Sequence, residues 1–233
     1  LKHIITIDRK IEGLPYYGEF VERGKKLGNN GRFRNMELDL DAPAKILFTS
    51  GTTGANKGVV LSNANLAANM TNCMDAIRAH ETYTSMSILP MHHATEINTH
   101  IMTRIGAARL TYISGNMRHM MRNIKIFKPE IVTIVPMIAN AFYKNIQAGV
   151  RKQGKEEKLQ KGIKISNFLR KLGIDKTHDM FKDIFAPFGG NLRIIICGGS
   201  MLNPVTIKGM SDLGMAMENG YGITECGPLI SIN

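Results

Sequence analysis

Short runs of aliphatic and β-branched residues recur along the chain, and most are continuous rather than alternating. They are HIITI at 3–7, KILFTS at 45–50, GVVLS at 58–62, SMSILP at 85–90, RLTYIS at 109–114, EIVTIVP at 130–136, LRIIICG at 192–198 and MAMENGYG at 215–222. A strand with one wet face alternates apolar and polar residues, so a continuous run is expected of a strand covered on both faces. Helical patterns lie between many of the runs. One opens at Ser62, a good N-cap, and continues to His80; another opens at Asn203-Pro204, a cap followed by a first-turn proline. Strands alternating with helices predict an α/β fold of mostly parallel sheets with helices on both faces.

At 233 residues and 43% hydrophobic content there is enough chain for a real core in one or two domains. No apolar run approaches a membrane span. The first residues, LKHIITID, lack the apolar stretch of a secretory leader and read as the middle of a protein, entering directly into a strand. Cys73, Cys197 and Cys226 are odd in number and show no metal or redox spacing, which fits a reducing, cytoplasmic setting.

The formal net charge of +11 is uneven: residues 151–182 hold ten Lys/Arg against four Asp/Glu. Within this basic segment Ile165, Phe168, Leu169 and Leu172 form one apolar stripe at helical spacing. Residues 149–162 are the least regular part, an exposed connection inside a basic insertion over 149–182. A solvated helical face is the plain reading of the charge. Peripheral contact with a membrane surface and an anionic-ligand rim are the sharper alternatives. Nucleic acid is not expected, because the stacking aromatics of single-strand binders are missing.

The segment FTSGTTGANKGV from Phe48 sits between two of the strand runs. Gly51, Gly54 and Gly58 let backbone approach a ligand closely. The hydroxyls of Thr49, Ser50, Thr52 and Thr53, the loop N–H groups and the Lys57 ammonium are all donors, matching an acceptor-rich anion such as a polyphosphate. The segment is neither a Walker loop, since Lys57 precedes Gly58 rather than a hydroxyl residue, nor a G-x-G-x-x-G dinucleotide turn.

Three further stretches carry chemistry. In SILPMHHATEINTH, from Ser87, the residues His92, Glu96 and His100 stand at i, i+4 and i+8, a weak metal pattern that is not HExxH. ICGGSMLNP, from Ile196, ends a buried strand in a glycine pair, the kind of turn at which α/β sheets bind ligands. ENGYGITECGP, from Glu218, offers the Tyr221 ring to stack on a base and the Thr224 hydroxyl for a phosphate oxygen. Its Glu225 carboxylate suits Mg²⁺.

Taken in order, these motifs resemble the adenylate-forming (AMP-binding) enzymes: acyl-CoA synthetases, luciferases and peptide-synthetase adenylation domains. The chain is most similar to the long-chain fatty acyl-CoA synthetases, through His-His-Ala-Thr-Glu and the long stretch between Pro136 and Gly189. The family pattern has proline before the loop lysine, where this chain has Asn56. The resemblance implies that Thr49, Ser50, Gly51, Thr52, Thr53, Gly54 and Lys57 hold the β- and γ-phosphates of ATP. It makes Gly198, Gly199 and Ser200 a wall of the adenine site, and Tyr221, Gly222 and Thr224 further nucleotide contacts. His92 or His93 would line the path between acyl group and nucleotide, and Glu225 would hold Mg²⁺. The implied reaction joins a fatty acid to ATP as an acyl-adenylate, then transfers the acyl group to coenzyme A. The alanine- and methionine-rich segment 63–74 is expected to be core packing rather than an acyl tunnel.

The resemblance also implies a larger enzyme. The Tyr-x-Thr-Gly-Asp stretch, the hinge and the mobile C-terminal domain with its catalytic lysine do not follow Asn233, and the start of the N-terminal domain is absent. The chain is therefore expected to be a core fragment of an N-terminal domain, inactive alone. Two other readings stay open: an amino-acid adenylation domain, and a non-catalytic nucleotide-binding module on the same scaffold.

Overall fold

Ile131–Ile134 is buried at every position and Ile194–Gly198 at all but its last, as expected of strands that no face leaves wet. Around them the computed structural model describes residues 4–28, 31, 33, 35–50, 56–77, 81–90, 93–102, 110–113 and 117–233.

Residues 1–39 form one unit. Its helix α1 spans Tyr17–Leu27, and Thr6 makes an isolated parallel bridge to Tyr16. The strand expected at 3–7 is not formed over residues 4–7; Ile4, Ile5 and Ile7 are exposed there, and among the described residues no strand pairs with them beyond the single bridge of Thr6.

Residues 40–233 form the second unit. It opens with an antiparallel hairpin of β1 (Pro43–Ser50) and β2 (Asn56–Ser62), with Thr49 opposite Lys57. Helix α2 (Asn63–Ala76) follows directly. Ser62 caps it in a capping box with Asn65, satisfying two first-turn N–H groups. Next come β3 (Thr84–Ser87), α3 (Ala94–Met102), β4 (Leu110–Ile113), α4 (Met120–Phe127) and β5 (Ile131–Ile134). Pro136 then starts α5 (Pro136–Lys152), where its missing N–H costs nothing.

The segment expected to be irregular, 149–162, is instead mostly helical. α5 runs to Lys152, and after a short turn α6 occupies Glu156–Lys171. Two short helices, α7 (Thr177–Met180) and α8 (Lys182–Phe185), lead to β6 (Ile194–Gly198). Helix α9 (Pro204–Asp212) is capped by Asn203, whose Oδ1 accepts from the Val205 N–H at 2.9 Å. Strands β7 (Ala216–Gly222) and β8 (Leu229–Ile232) end the chain.

The main sheet has the order β4-β3-β5-β6-β7-β8, parallel except for β8. The path steps to one side of β3 for β4 and to the other for β5. Right-handed crossovers then send α3 and α5 to opposite faces. Side-chain alternation sorts the core accordingly. Ile131, Ile194 and Ile196 pack with Cys73, Met74 and Ile77 near α2 on one face. Val132, Ile134, Ile195 and Cys197 pack with α5, α9 and Phe185 on the other.

The apolar stripe of α6 departs from expectation. Ile165, Phe168 and Leu172 are exposed, Leu169 is half-buried, and Ser166 is the residue fully buried. Hydrogen bonds from Asn167 Nδ2 to Asp212 Oδ1 (3.0 Å) and from Arg170 Nη1 to the Ser211 carbonyl (2.9 Å) turn the polar flank of the helix toward α9.

Candidate active-site crevice

Strands β6 and β7 end in glycine, and a crevice of about 290 Å³ opens at those ends. The C-terminal edge of a parallel sheet is where α/β folds present backbone N–H groups and helix starts to a ligand. Gly198, Gly199, Gly220 and Gly222 line it from the strands, Thr224 from the turn after β7, and His93 and Asn98 from α3 and its approach. Two glycines are needed for steric reasons. A Cβ on Gly222 would overlap the Pro228 carbonyl oxygen, and Gly199 has φ +94°, where side chains are strained.

Of the residues singled out in the sequence, His93, Gly198, Gly199, Gly222 and Thr224 thus share one cavity. Ser200, Tyr221 and Glu225 are neighbours in sequence but not lining residues; each is exposed, Tyr221 at 63%. Thr49 and Lys57 pair across the hairpin near its loop end, and β2 runs beside the 3-10 turn Thr224–Cys226. The tip of the loop expected to hold phosphate (Gly51, Thr52, Thr53, Gly54), the Ser50 side chain and His92 lie outside the described residues.

Several positioning residues escaped the sequence reading. Asn69, on α2, donates to the carbonyls of Cys226 (3.0 Å) and Leu229 (2.7 Å). Asn98, on α3, donates to the Gly227 carbonyl at 2.6 Å and accepts from Lys45 Nζ at 3.3 Å. Together they hold the end of the turn bearing Thr224 and Glu225 and the residues that follow it. The available signal was an asparagine inside each helical pattern, where it is a poor helix former. The segment 63–74, expected to be core packing rather than an acyl tunnel, also contributes Asn69, Met70 and Cys73 to the crevice lining.

Burial sets the electrostatics. It pushes the Cys197 thiol up to about 12, so the crevice floor carries no thiolate to repel phosphate. It lowers the Lys45 ammonium from its ordinary value. Glu96 is 1% exposed, and burial raises its carboxyl pKa against the hydrogen bonds from Ser87 and the Leu89 N–H. A carboxyl held toward its neutral form is a poor metal ligand. Among the described residues no cluster of three His, Cys, Asp or Glu side chains could hold a metal. The single exposed Glu225 carboxylate instead suits Mg²⁺ arriving with a nucleotide, since this ion keeps its waters and takes phosphate oxygens alongside one or two carboxylates.

The chain is 28% identical to the peroxisomal long chain acyl-CoA synthetase 6 of Arabidopsis thaliana, over 98% of this chain and 34% of that one. It is 27% identical to human long-chain-fatty-acid–CoA ligase 1, over 97% of this chain and 35% of that one. The chain therefore spans about a third of the length of these curated relatives. Among solved structures, a red-emitting luciferase from Phrixothrix hirtus matches 99% of this chain and 39% of its own, with a TM-score of 0.67 and 20% identity. The N-terminal domain of FACL13 from Mycobacterium tuberculosis matches 92% of this chain and 45% of its own, with a TM-score of 0.62 and 20% identity. The family profile described as "AMP-binding enzyme" matches residues 3–233, and with the glycine-lined crevice at the strand ends in place, the chain belongs to that family.

Proposed function

We propose that the protein to which this chain belongs activates a long-chain fatty acid with ATP and passes it to coenzyme A. The observation that carries this reading is the meeting of His93, Gly198, Gly199, Gly222 and Thr224 around one crevice at the ends of β6 and β7. In the first step a carboxylate oxygen attacks the α-phosphorus of ATP, and the bond to pyrophosphate breaks. In the second the coenzyme A thiol attacks the acyl carbonyl, and AMP leaves. Both steps depend on positioning and charge neutralisation more than on protein covalent chemistry.

The residues take matching roles. Lys57 and the loop hydroxyls hold the outer phosphates, and Thr224 donates to a phosphate oxygen. The glycine pair Gly198-Gly199 and Ser200 flank the base, on which Tyr221 stacks. His93 borders the acyl approach, and Glu225 supports Mg²⁺, which when bound offsets phosphate charge. The experiment is ATP–pyrophosphate exchange by the whole protein across fatty acids of different length and the amino acids. Exchange confined to amino acids, or none with any acid, would sink the reading.

The chain alone is proposed to bind nucleotide weakly and to adenylate poorly. Pyrophosphate release by the isolated 233 residues with ATP and palmitate tests this, and clear turnover would contradict it. A peripheral place at the cytoplasmic face of a membrane is also part of the proposal. It is supported by exposed Ile165, Phe168 and Leu172 on the lysine-rich face of α6. Salt-sensitive co-sedimentation with anionic vesicles checks it, and no binding at low salt would remove it.

A further inference from the structure

Glu96 belongs to a weak metal pattern in the sequence, yet among the described residues no metal cluster forms around it. It is also the one carboxyl buried in the core of the described residues. Burying such a group is costly unless its partners use it.

Those partners are not the ones of an ordinary helix cap. A glutamate at the third helical position usually reaches back to the N–H just before the helix. Here that N–H, of His93, donates to the Pro90 carbonyl at 3.0 Å. Glu96 Oε2 instead accepts from the Leu89 N–H at 3.3 Å, and the Ser87 hydroxyl and Ile88 N–H are further donors to the carboxyl. The side chain thus grips residues 87–89, where the chain leaves β3.

The other oxygen faces a void. Glu96 Oε1 finds no hydrogen-bond partner among the described residues, and neither does Thr133 Oγ1 on β5. Glu96 and Thr133 line one space of about 10 Å³. About 10–15 Å³ is the least that holds one water, and a water here would have both groups as partners. A carboxyl held toward its neutral form suits the place: one oxygen accepts from the strand end and the other donates into the void.

Three bonds therefore fix the segment between β3 and α3. Glu96 holds its entry at Leu89, the His93 N–H closes onto Pro90, and the Ile97 N–H ties the His93 carbonyl into the helix at 3.2 Å. His93, which lines the crevice, stands between these anchors. Glu96 itself is not a lining residue of the crevice.

We propose that Glu96 is a positioning residue: it sets the path of residues 88–93 and so the place of His93 in the crevice. It rests on the carboxylate activation proposed above only through what His93 borders.

Histidine ring NMR spectra of the 233-residue chain test the placement without any turnover. His93→Gln assigns the signal. Glu96→Gln keeps both an acceptor and a donor, and should leave the His93 signal in place. Glu96→Met keeps the bulk but neither bond, and should shift or broaden it. His178, stacked on Phe185 at the opposite face of the sheet, should stay unmoved. An unchanged His93 signal in Glu96→Met overturns the proposal, as does a His178 signal that moves as much. Should Glu96→Met fail to fold, Glu96→Asp, one methylene short of the Leu89 N–H, decides.

Pyrophosphate exchange by the whole protein reads the same coupling. Glu96→Met should lower kcat/KM for the acid about a hundredfold, the scale of a misplacement of about 1 Å, with the KM for ATP little changed. Glu96→Gln should restore most of the loss. In a His93→Ala background Glu96→Met should cost nothing further, and full additivity overturns the proposal. Should the whole protein exchange with no acid, carboxylate activation fails while the ring spectra still decide the placement.

Discussion

Asn98 Nδ2 donates a 2.6 Å hydrogen bond to the Gly227 carbonyl, joining α3 to a turn 129 residues further along the chain. That turn carries Thr224 and Glu225, and Lys45 supports the same asparagine from β1. Both Asn98 and Gly227 are buried, so water cannot replace the bond.

Asn98→Ala should therefore destabilise the chain by about 1–3 kcal/mol, because a buried carbonyl loses its donor. The expected fall in Tm is about 2–4 °C per kcal/mol for a chain of this size. Asn69→Ala acts on the same turn from α2, so the two losses should not add. Thermal unfolding of the single and double variants checks this, and simple additivity would argue against a shared clamp.

Gly222→Ala and Gly149→Ala should move stability in opposite directions. At Gly222 the new methyl meets the Pro228 backbone, which cannot swing aside, and overpacking of this kind costs about 1–3 kcal/mol or more. At Gly149, inside α5 with open space around it, alanine should gain about 0.5–1 kcal/mol. Urea titration separates the two; a loss at Gly149 would contradict the open space.

Glu96 should make the chain less stable as pH rises. Its pKa in the folded state lies above the ordinary 4.5, mainly through burial, so the folded chain keeps a proton that the unfolded chain releases. The sign follows: its contribution is fully present below about pH 4.5 and is lost as pH climbs through the raised folded value. Glu96→Gln should flatten this dependence and raise Tm at pH 7, with little gain at pH 4. Melting curves at the two pH values measure it, and an equal effect at both would refute a protonated Glu96.

Lys57→Ala should weaken ATP binding about tenfold or more, the scale of a hydrogen bond to a charged group. Since the lost term is charge on charge, the variant should also show a shallower salt dependence than the parent. Binding of a fluorescent ATP analogue at two salt concentrations reads both quantities. Unchanged affinity would place the lysine away from the phosphates.

Much of the sheet was legible because its signals are local. The runs at 130–136 and 192–198 are apolar without alternation, and only strands covered on both faces tolerate that. Ser62 and Asn203 announced α2 and α9 through hydroxyl and amide caps acting within three residues. The same rules failed over the described residues 4–7, where Thr6 makes one isolated bridge to Tyr16 and no strand forms, because strand pairing is a property of two segments. They failed differently on α6. Spacing found the stripe of Ile165, Phe168, Leu169 and Leu172, but contacts of Asn167 and Arg170 with the end of α9 decided that only Leu169 of the four is turned partly inward.

The sequence by itself determined the class of fold, the order of the glycine-rich turns and the residue types offered to a nucleotide, since all of these depend on neighbours a few positions apart. Only the tertiary structure decided which of them meet. The Asn69 and Asn98 bonds span 129 to 160 residues, and Gly222 is constrained by the carbonyl of Pro228, just before the returning strand. The small void between Glu96 and Thr133 likewise depends on α3 lying over β3 and β5. A hydrogen bond or a void between distant segments leaves no periodic trace in the chain; it exists only once the sheet has brought its walls together.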